Sequence, residues 1–164
     1  MKVLGLDPGS RRTGWGVVVK ERHGQRGIAA GVIKVREKDP LETRILHIHR
    51  GVSALIEEHC PDAVAIEDIF FAKYPKAALA LGHARGVALL AAAQADLPLS
   101  AYPPAVVKRA IAGRGAADKR QVAMLVGALL GWRELPAEDA TDALAIAITH
   151  LNAVRTGGAA RLSR

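Results

Sequence analysis

Lys2-Val3-Leu4-Gly5-Leu6-Asp7-Pro8-Gly9-Ser10 opens the chain with a short apolar run, rich in branched residues, that ends on a carboxylate and is cut off by Pro-Gly. A run of this length and composition reads as a buried strand, and the Pro-Gly pair as the turn that stops it. Asp7 therefore lies at the strand's C-terminal end. Working outward, Asp62-Ala63-Val64-Ala65-Ile66-Glu67 has the same form, a short apolar run closing on an acid. Parallel strands bring such ends to one edge of a sheet, the edge at which open α/β folds bind ligands.

A third acidic group comes from far along the chain. Asp139 and Asp142 stand three residues apart just before Ala143-Leu144-Ala145-Ile146-Ala147-Ile148, a run of good helix formers that is apolar on nearly every face. Spacing of three on a helix leaves both carboxylates on one side, roughly 5–6 Å apart at Cβ. Read alone, the pair could be an N-cap and its third-position partner, because a helix start favours negative charge. Read with Asp7 and Glu67, three separate elements deliver acid where a two-layer α/β fold could gather it. Like charges packed together destabilise a fold unless cations neutralise them, so the set reads as a cradle for divalent ions.

Composition narrows the partners. The chain has 164 residues, 50% of them hydrophobic, which fits one globular domain with a substantial core. Lys and Arg number 23 against 16 Asp and Glu, a net charge of +7 that points to a polyanionic partner. Lys73 and Lys76 follow the Glu67 strand, and Lys108, Arg109, Arg114, Lys119 and Arg120 crowd a segment broken by Gly113 and Gly115. Such groups meet phosphates, although a solvated helix face would look the same. The single cysteine, Cys60, excludes an intrachain disulfide and a cysteine-based zinc site, and a reducing compartment is expected. The N-terminus is too short for a signal peptide's apolar region. Gly86 to Ala93, bounded by Arg85 and Gln94, falls far short of the ~20 apolar residues that span a bilayer. A cytoplasmic protein with no membrane partner is expected.

Between the acids, Thr13–Lys20 and Gly27–Val35 read as strands hairpin-linked through basic turn residues Lys20 to Arg26. Leu41–His59 carries Ile45, Ile48, Val52, Leu55 and Ile56 at helical spacing, and Ala77–Ala95 reads as an Ala-rich helix. Either helix could form a dimer surface. Leu99–Tyr102 reads as a short strand, and Pro103-Pro104 opens a helix running through Ile111. Asp118 is placed to cap a helix reaching about Leu130, and a last helix spans about Ala137 to Val154. The domain is expected to occupy 1–155, with 156–164 a basic, disordered tail. Trp15 and Trp132 read as core residues, and His47, His49 and His59 as structural or surface groups.

Four blocks in register carry a specific resemblance. Gly5-Leu6-Asp7-Pro8-Gly9-Ser10 with Thr13-Gly14-Trp15-Gly16 is the first, and Ile66-Glu67-Asp68-Ile69-Phe70-Phe71-Ala72-Lys73 the second. Gly82-His83-Ala84-Arg85-Gly86-Val87-Ala88 and Asp139-Ala140-Thr141-Asp142-Ala143-Leu144-Ala145-Ile146-Ala147 complete the set. Together they resemble the RuvC family of Holliday junction resolvases over nearly the full chain. The resemblance implies a ribonuclease H-like α/β fold, a mixed five-stranded sheet with helices on both faces. It implies a symmetric homodimer that nicks opposing strands of a four-way DNA junction in recombination and repair, with Mg²⁺ or Mn²⁺, two ions per site, as cofactor and a branch-migration complex as a further partner. Carried over residue by residue, Asp7, Glu67, Asp139 and Asp142 match the metal-binding acids, with Glu138 an alternative donor beside Asp139. Lys108 and Lys119 match basic residues near the scissile phosphate, and Phe70 matches an aromatic that stacks on a base. Adjacent Phe71 would face the other way in an extended segment. Lys73, Lys76, Arg85, Arg109, Arg114 and Arg120 complete the expected DNA surface.

Two other classes share single features with the chain. An Asp-x-Gly turn after a first strand also occurs in actin-like phosphotransferases and ATPases, but these need a second lobe and a second phosphate loop that the sequence does not contain. A junction-binding module without cleavage would have no use for clustered acids, which repel DNA.

Overall fold

The structure is a computed structural model and describes residues 1–68, 75–113 and 117–155. Five strands form one mixed sheet: β1 (Lys2–Asp7), β2 (Arg12–Glu21), β3 (Gly24–Lys34), β4 (Ala63–Glu67) and β5 (Leu99–Tyr102), in the order β3-β2-β1-β4-β5. The first three pair antiparallel, while β4 lies parallel to β1 and β5 parallel to β4. The helices are α1 (Leu41–His59), α2 (Pro75–Gln94), α3 (Pro104–Ala112), α4 (Lys119–Leu130) and α5 (Glu138–Arg155). This is the mixed five-stranded sheet with helices on both faces that the sequence led us to expect.

The two-residue alternation of the central strands sorts the core into two layers. Leu4, Leu6, Val64 and Ile66 point to one face, where they meet Ile48, Val52 and Leu55 of α1 and Ala84, Ala88, Ala91 and Ala92 of α2. Val3 and Ala65 point to the other, toward Leu144, Ile146 and Leu151 of α5, with α3 and α4 outside them. Leu144, Ile146, Ile148 and Leu151 are each at most 1% exposed. Burial of each contributes about 1.5–3 kcal/mol, which makes α5 the organising helix of its layer.

Close approach of α5 to the sheet depends on glycine. A Cβ at Gly5 would collide with the Ala143 carbonyl, and one at Gly14 with the Asp139 carbonyl. The register sets Gly5 opposite Gly16 and Asp7 opposite Gly14, so the bare positions lie side by side under the first two turns of the helix. Those turns carry Asp139 and Asp142.

Several boundaries differ from the sequence expectations. The β2–β3 pairing continues to Glu21 opposite Gly24, leaving only Arg22 and His23 in the turn. Strands at a sheet edge tolerate the polar residues Lys20 to Arg26, and a 2.6 Å ion pair between Arg26 and Glu21 braces them. Asp139 and Asp142 are not a cap and its partner, since the helix begins at Glu138 and both lie inside it. Asp118 does cap α4, accepting the Gln121 amide at 2.8 Å. The α2 helix starts two residues before and ends one residue before the expected Ala77–Ala95, and its twenty residues are apolar enough in composition to span a bilayer, which the Gly86–Ala93 stretch alone did not suggest. Its hydropathy comes largely from alanine. It docks on the sheet through a row of alanines and leaves Leu79 and Leu90 outside. Trp15 and Trp132 are half-buried against the two cores, Trp15 near the His59 ring at 5.8 Å.

Candidate active site

Strand alternation that hides Leu4 and Leu6 turns Asp7 to the opposite face with Val3, and the same parity in β4 turns Glu67 with Ala65. Leu6 and Ile66 are paired in register, so the acids that follow them are neighbours across the β1–β4 pair. Asp142, at the fifth residue of α5, comes down from above. Asp7, Glu67 and Asp142 line one cavity of about 320 Å³, together with Lys108 of α3, Lys119 at the first residue of α4, and an apolar floor that includes Val107, Val122 and Ile146.

Carboxylates gathered in such a place cannot all stay ionised at ordinary cost. Burial, then repulsion from Glu67 and Asp142, pushes the Asp7 carboxyl up to about 8, and its proton is donated to Glu67. Burial likewise raises Glu67, although the hydrogen bond accepted from Asp7 pulls the other way. Asp142 is raised by burial, against the opposing pull of Lys119. The Lys119 ammonium lies 2.7 Å from Glu138 and 3.4 Å from Asp142, contacts that raise its pKa and lower that of exposed Glu138.

Three oxygen-donor side chains held together at an electrostatic cost are the donor set that a hard divalent cation takes, and a cation would relieve that cost. Among the described residues, no three His, Cys, Asp or Glu side chains are drawn close enough to ligate an ion as they stand. As they stand, Asp7 shares a proton with Glu67, and Asp142 pairs with Lys119 at 3.4 Å. By the chemistry of their donors, the residues fit an ion.

Asp139 stands apart from the cavity wall. Its Oδ2 lies 2.6 Å from Nε of Arg12 at the start of β2, and that oxygen is closed to solvent without accepting a hydrogen bond of regular geometry. Of the basic residues expected to meet DNA, Lys108 and Lys119 line the cavity, and Lys76, Arg109 and Arg120 are exposed. Arg85 instead braces the end of β4, donating to the Glu67 carbonyl at 3.3 Å and to Asp68 at 3.2 Å. Phe70, Phe71, Lys73, Arg114 and the tail 156–164 lie outside the described residues.

Two features had escaped the sequence reading. Arg12 shares the Ser10-Arg11-Arg12-Thr13 turn with Arg11, which pairs with Glu37. Its basic doublet directly after the Pro-Gly turn was the available signal. His150, buried in α5, shares a hydrogen bond between its Nδ1 and the Tyr102 hydroxyl at 2.9 Å, and burial lowers its pKa. A lone histidine inside an apolar helix run carries no sequence signal for such a partner.

Comparison with known proteins identifies the family and the fold. Residues 3–150 match the family described as Crossover junction endodeoxyribonuclease RuvC. The protein of that description from Sorangium cellulosum (strain So ce56) is 50% identical over 153 residues, covering 93% of this chain and 86% of its own length. Thermus thermophilus RuvC superimposes with a TM-score of 0.90 at 39% identity, over 99% of this chain and 100% of that one. T. thermophilus RuvC in complex with Holliday junction substrate gives 0.91 at 37% identity over the same shares. With the family's sequence pattern spanning 3–150 and the same fold throughout, this chain belongs to the RuvC family of crossover junction endodeoxyribonucleases.

Proposed function

We propose that the protein hydrolyses phosphodiesters at four-way DNA junctions, with divalent metal ions held by Asp7, Glu67 and Asp142 and with Asp139 joining them. The observation that carries this is the convergence of Asp7, Glu67 and Asp142 from β1, β4 and α5 into one cavity that Lys108 and Lys119 also line. Mg²⁺ or Mn²⁺ suits an all-oxygen donor set, and two ions bound there would supply a water of lowered pKa and a counter-charge for the leaving oxygen. The protein's own groups do the rest. Asp7, between Glu67 and Asp142, gives up its proton when the acids take up cations. Lys119 and Lys108, which line the same cavity, would meet a phosphate there and stabilise charge as it grows on the phosphoryl oxygens. The apolar floor of Val107, Val122 and Ile146 lowers the local dielectric and strengthens both effects.

Paired nicks require two sites related by a two-fold axis, so the working unit is a homodimer. The outward stripe of α2 supports that assembly. Leu79 is 63% and Leu90 50% exposed, and a Cβ at Gly82 or Gly86 between them would meet nothing within 4 Å. An apolar helix face with glycines at its centre admits a second copy of the same helix at close range. Nicked junctions of this kind arise in recombination and repair in the cytoplasm, where a branch-migration complex would present them.

The deciding experiment is incubation with a mobile four-way junction and with linear duplex, each with and without Mg²⁺. Symmetric nicks confined to the junction with metal are expected. Cleavage of linear duplex at equal rate, or cleavage in EDTA, would overturn the proposal.

A further inference from the structure

Arg12 occupies a place that the site described above leaves unexplained. Its backbone is tightly set. A Cβ at Gly9 would run into the Arg12 carbonyl, and the buried Thr13 hydroxyl donates to the Gly9 carbonyl at 3.3 Å. Its partner's backbone is equally fixed, since the Asp139 carbonyl rests on Gly14. Two backbone-constrained elements therefore present a guanidinium and a carboxylate to each other over 2.6 Å, one turn of α5 before cavity-lining Asp142. The result is that Asp139 is absent from the cavity wall although Asp142, one turn further on, lines it.

The cation side of this pair is also unusual. Register places Arg12 directly opposite Lys34 of β3, and both residues are exposed. Like charges facing each other across two strands are destabilising unless an anion lies between or beside them. In the free protein the anion is Asp139. Once Asp139 is drawn to a cation in the cavity, Arg12 and Lys34 lose that partner while exposed Glu138 stays within electrostatic reach of Arg12, and a phosphate of a nucleic acid has the charge and the fork geometry to take the place of Asp139.

We propose that Arg12 is a positioning residue that acts as a latch: it holds Asp139 outside the cavity in the free protein, and binding of a divalent ion releases it to take a DNA phosphate beside the site. The inference rests on the metal-binding reading given above. Arg12 thereby links ion occupancy to substrate grip, with the first side chain to leave Asp139 becoming one of those that fasten the DNA.

The test measures divalent-ion binding in the absence of DNA, by calorimetry with Mg²⁺ and Mn²⁺, on the full chain and on Arg12→Ala, Asp139→Asn and the double variant. Arg12→Ala is expected to tighten ion binding about three- to tenfold, because Asp139 no longer has to leave a partner. That gain is expected to vanish in the Asp139→Asn background. With junction DNA and saturating Mg²⁺, Arg12→Ala is expected to raise KM severalfold with kcat within about twofold, and Arg12→Lys to recover most of the loss. Unchanged ion affinity in Arg12→Ala, or a gain that persists without Asp139, would make the pair a structural clasp and end the latch. Absence of ion binding by the unaltered chain would instead sink the metal reading, and the latch with it.

Discussion

In the proposed mechanism the chemistry turns on Asp7, which lines the cavity with Glu67 and Asp142 and whose carboxyl is pushed up to about 8 by burial and by their repulsion. A cation must displace the Asp7 proton. Divalent-ion affinity is therefore expected to rise by up to tenfold per pH unit as pH increases toward about 8 and to flatten above it, as calorimetry in buffers of different pH would show. Stability of the ion-free protein should run the opposite way. Asp7 titrates near 3.8 when unfolded and near 8 when folded, so the folded state binds the proton more tightly; its contribution is fully present below about 4 and is lost as pH rises through 8. Melting in EDTA should accordingly fall between pH 5 and pH 8, and the increment restored by Mg²⁺ should grow over the same range. Asp7→Asn removes both a donor and a charge that repels phosphate. Junction cleavage should drop by more than the roughly 10–100-fold that loss of an outer partner costs a metal site, while junction binding holds or tightens. Detectable cleavage near the unaltered rate would remove Asp7 from the site.

The elements make the site by proximity, and α5 is the one whose placement matters most. Gly5→Ala puts a methyl group into the α5 backbone at Ala143, which cannot yield without lifting the helix. The expected cost is about 1–3 kcal/mol in urea unfolding, with a larger fall in cleavage than a surface variant of equal instability shows, because Asp142 moves with the helix. The cap on α4 offers a gentler probe. Asp118→Ala should cost about 1 kcal/mol and loosen Lys119, the next residue, weakening junction binding without touching the acids. Element types and rough limits were readable beforehand because periodicity and turn chemistry are local. The last helix, expected from about Ala137, begins at Glu138. What was not readable is where its first turns sit, because only close packing on Gly5 and Gly14 brings Asp139 and Asp142 over the sheet.

At the level of the whole molecule, basic side chains from α3 and α4 and acidic ones from β1, β4 and α5 meet only after folding, and affinity for DNA should depend on salt accordingly. Lys119→Ala is expected to weaken junction binding and to lower the slope of log K against log salt by about one phosphate contact. An unchanged slope would place Lys119 off the DNA path. The proposed dimerisation through α2 predicts that Leu79→Glu sediments as a folded monomer where the unaltered chain sediments as a dimer. By itself, the amino-acid sequence determined the strands that end on Asp7 and Glu67, the all-apolar helix behind Asp142, the excess of basic charge and the family, because each is written in neighbouring residues or in ordered motifs. Tertiary structure alone decided that Asp139 pairs with Arg12 while Asp142 lines the cavity, that Arg85 braces β4, and that His150 meets Tyr102. Those choices depend on which face of one element meets which face of another, and strand register and glycine clearance settle that only once the chain has closed on itself.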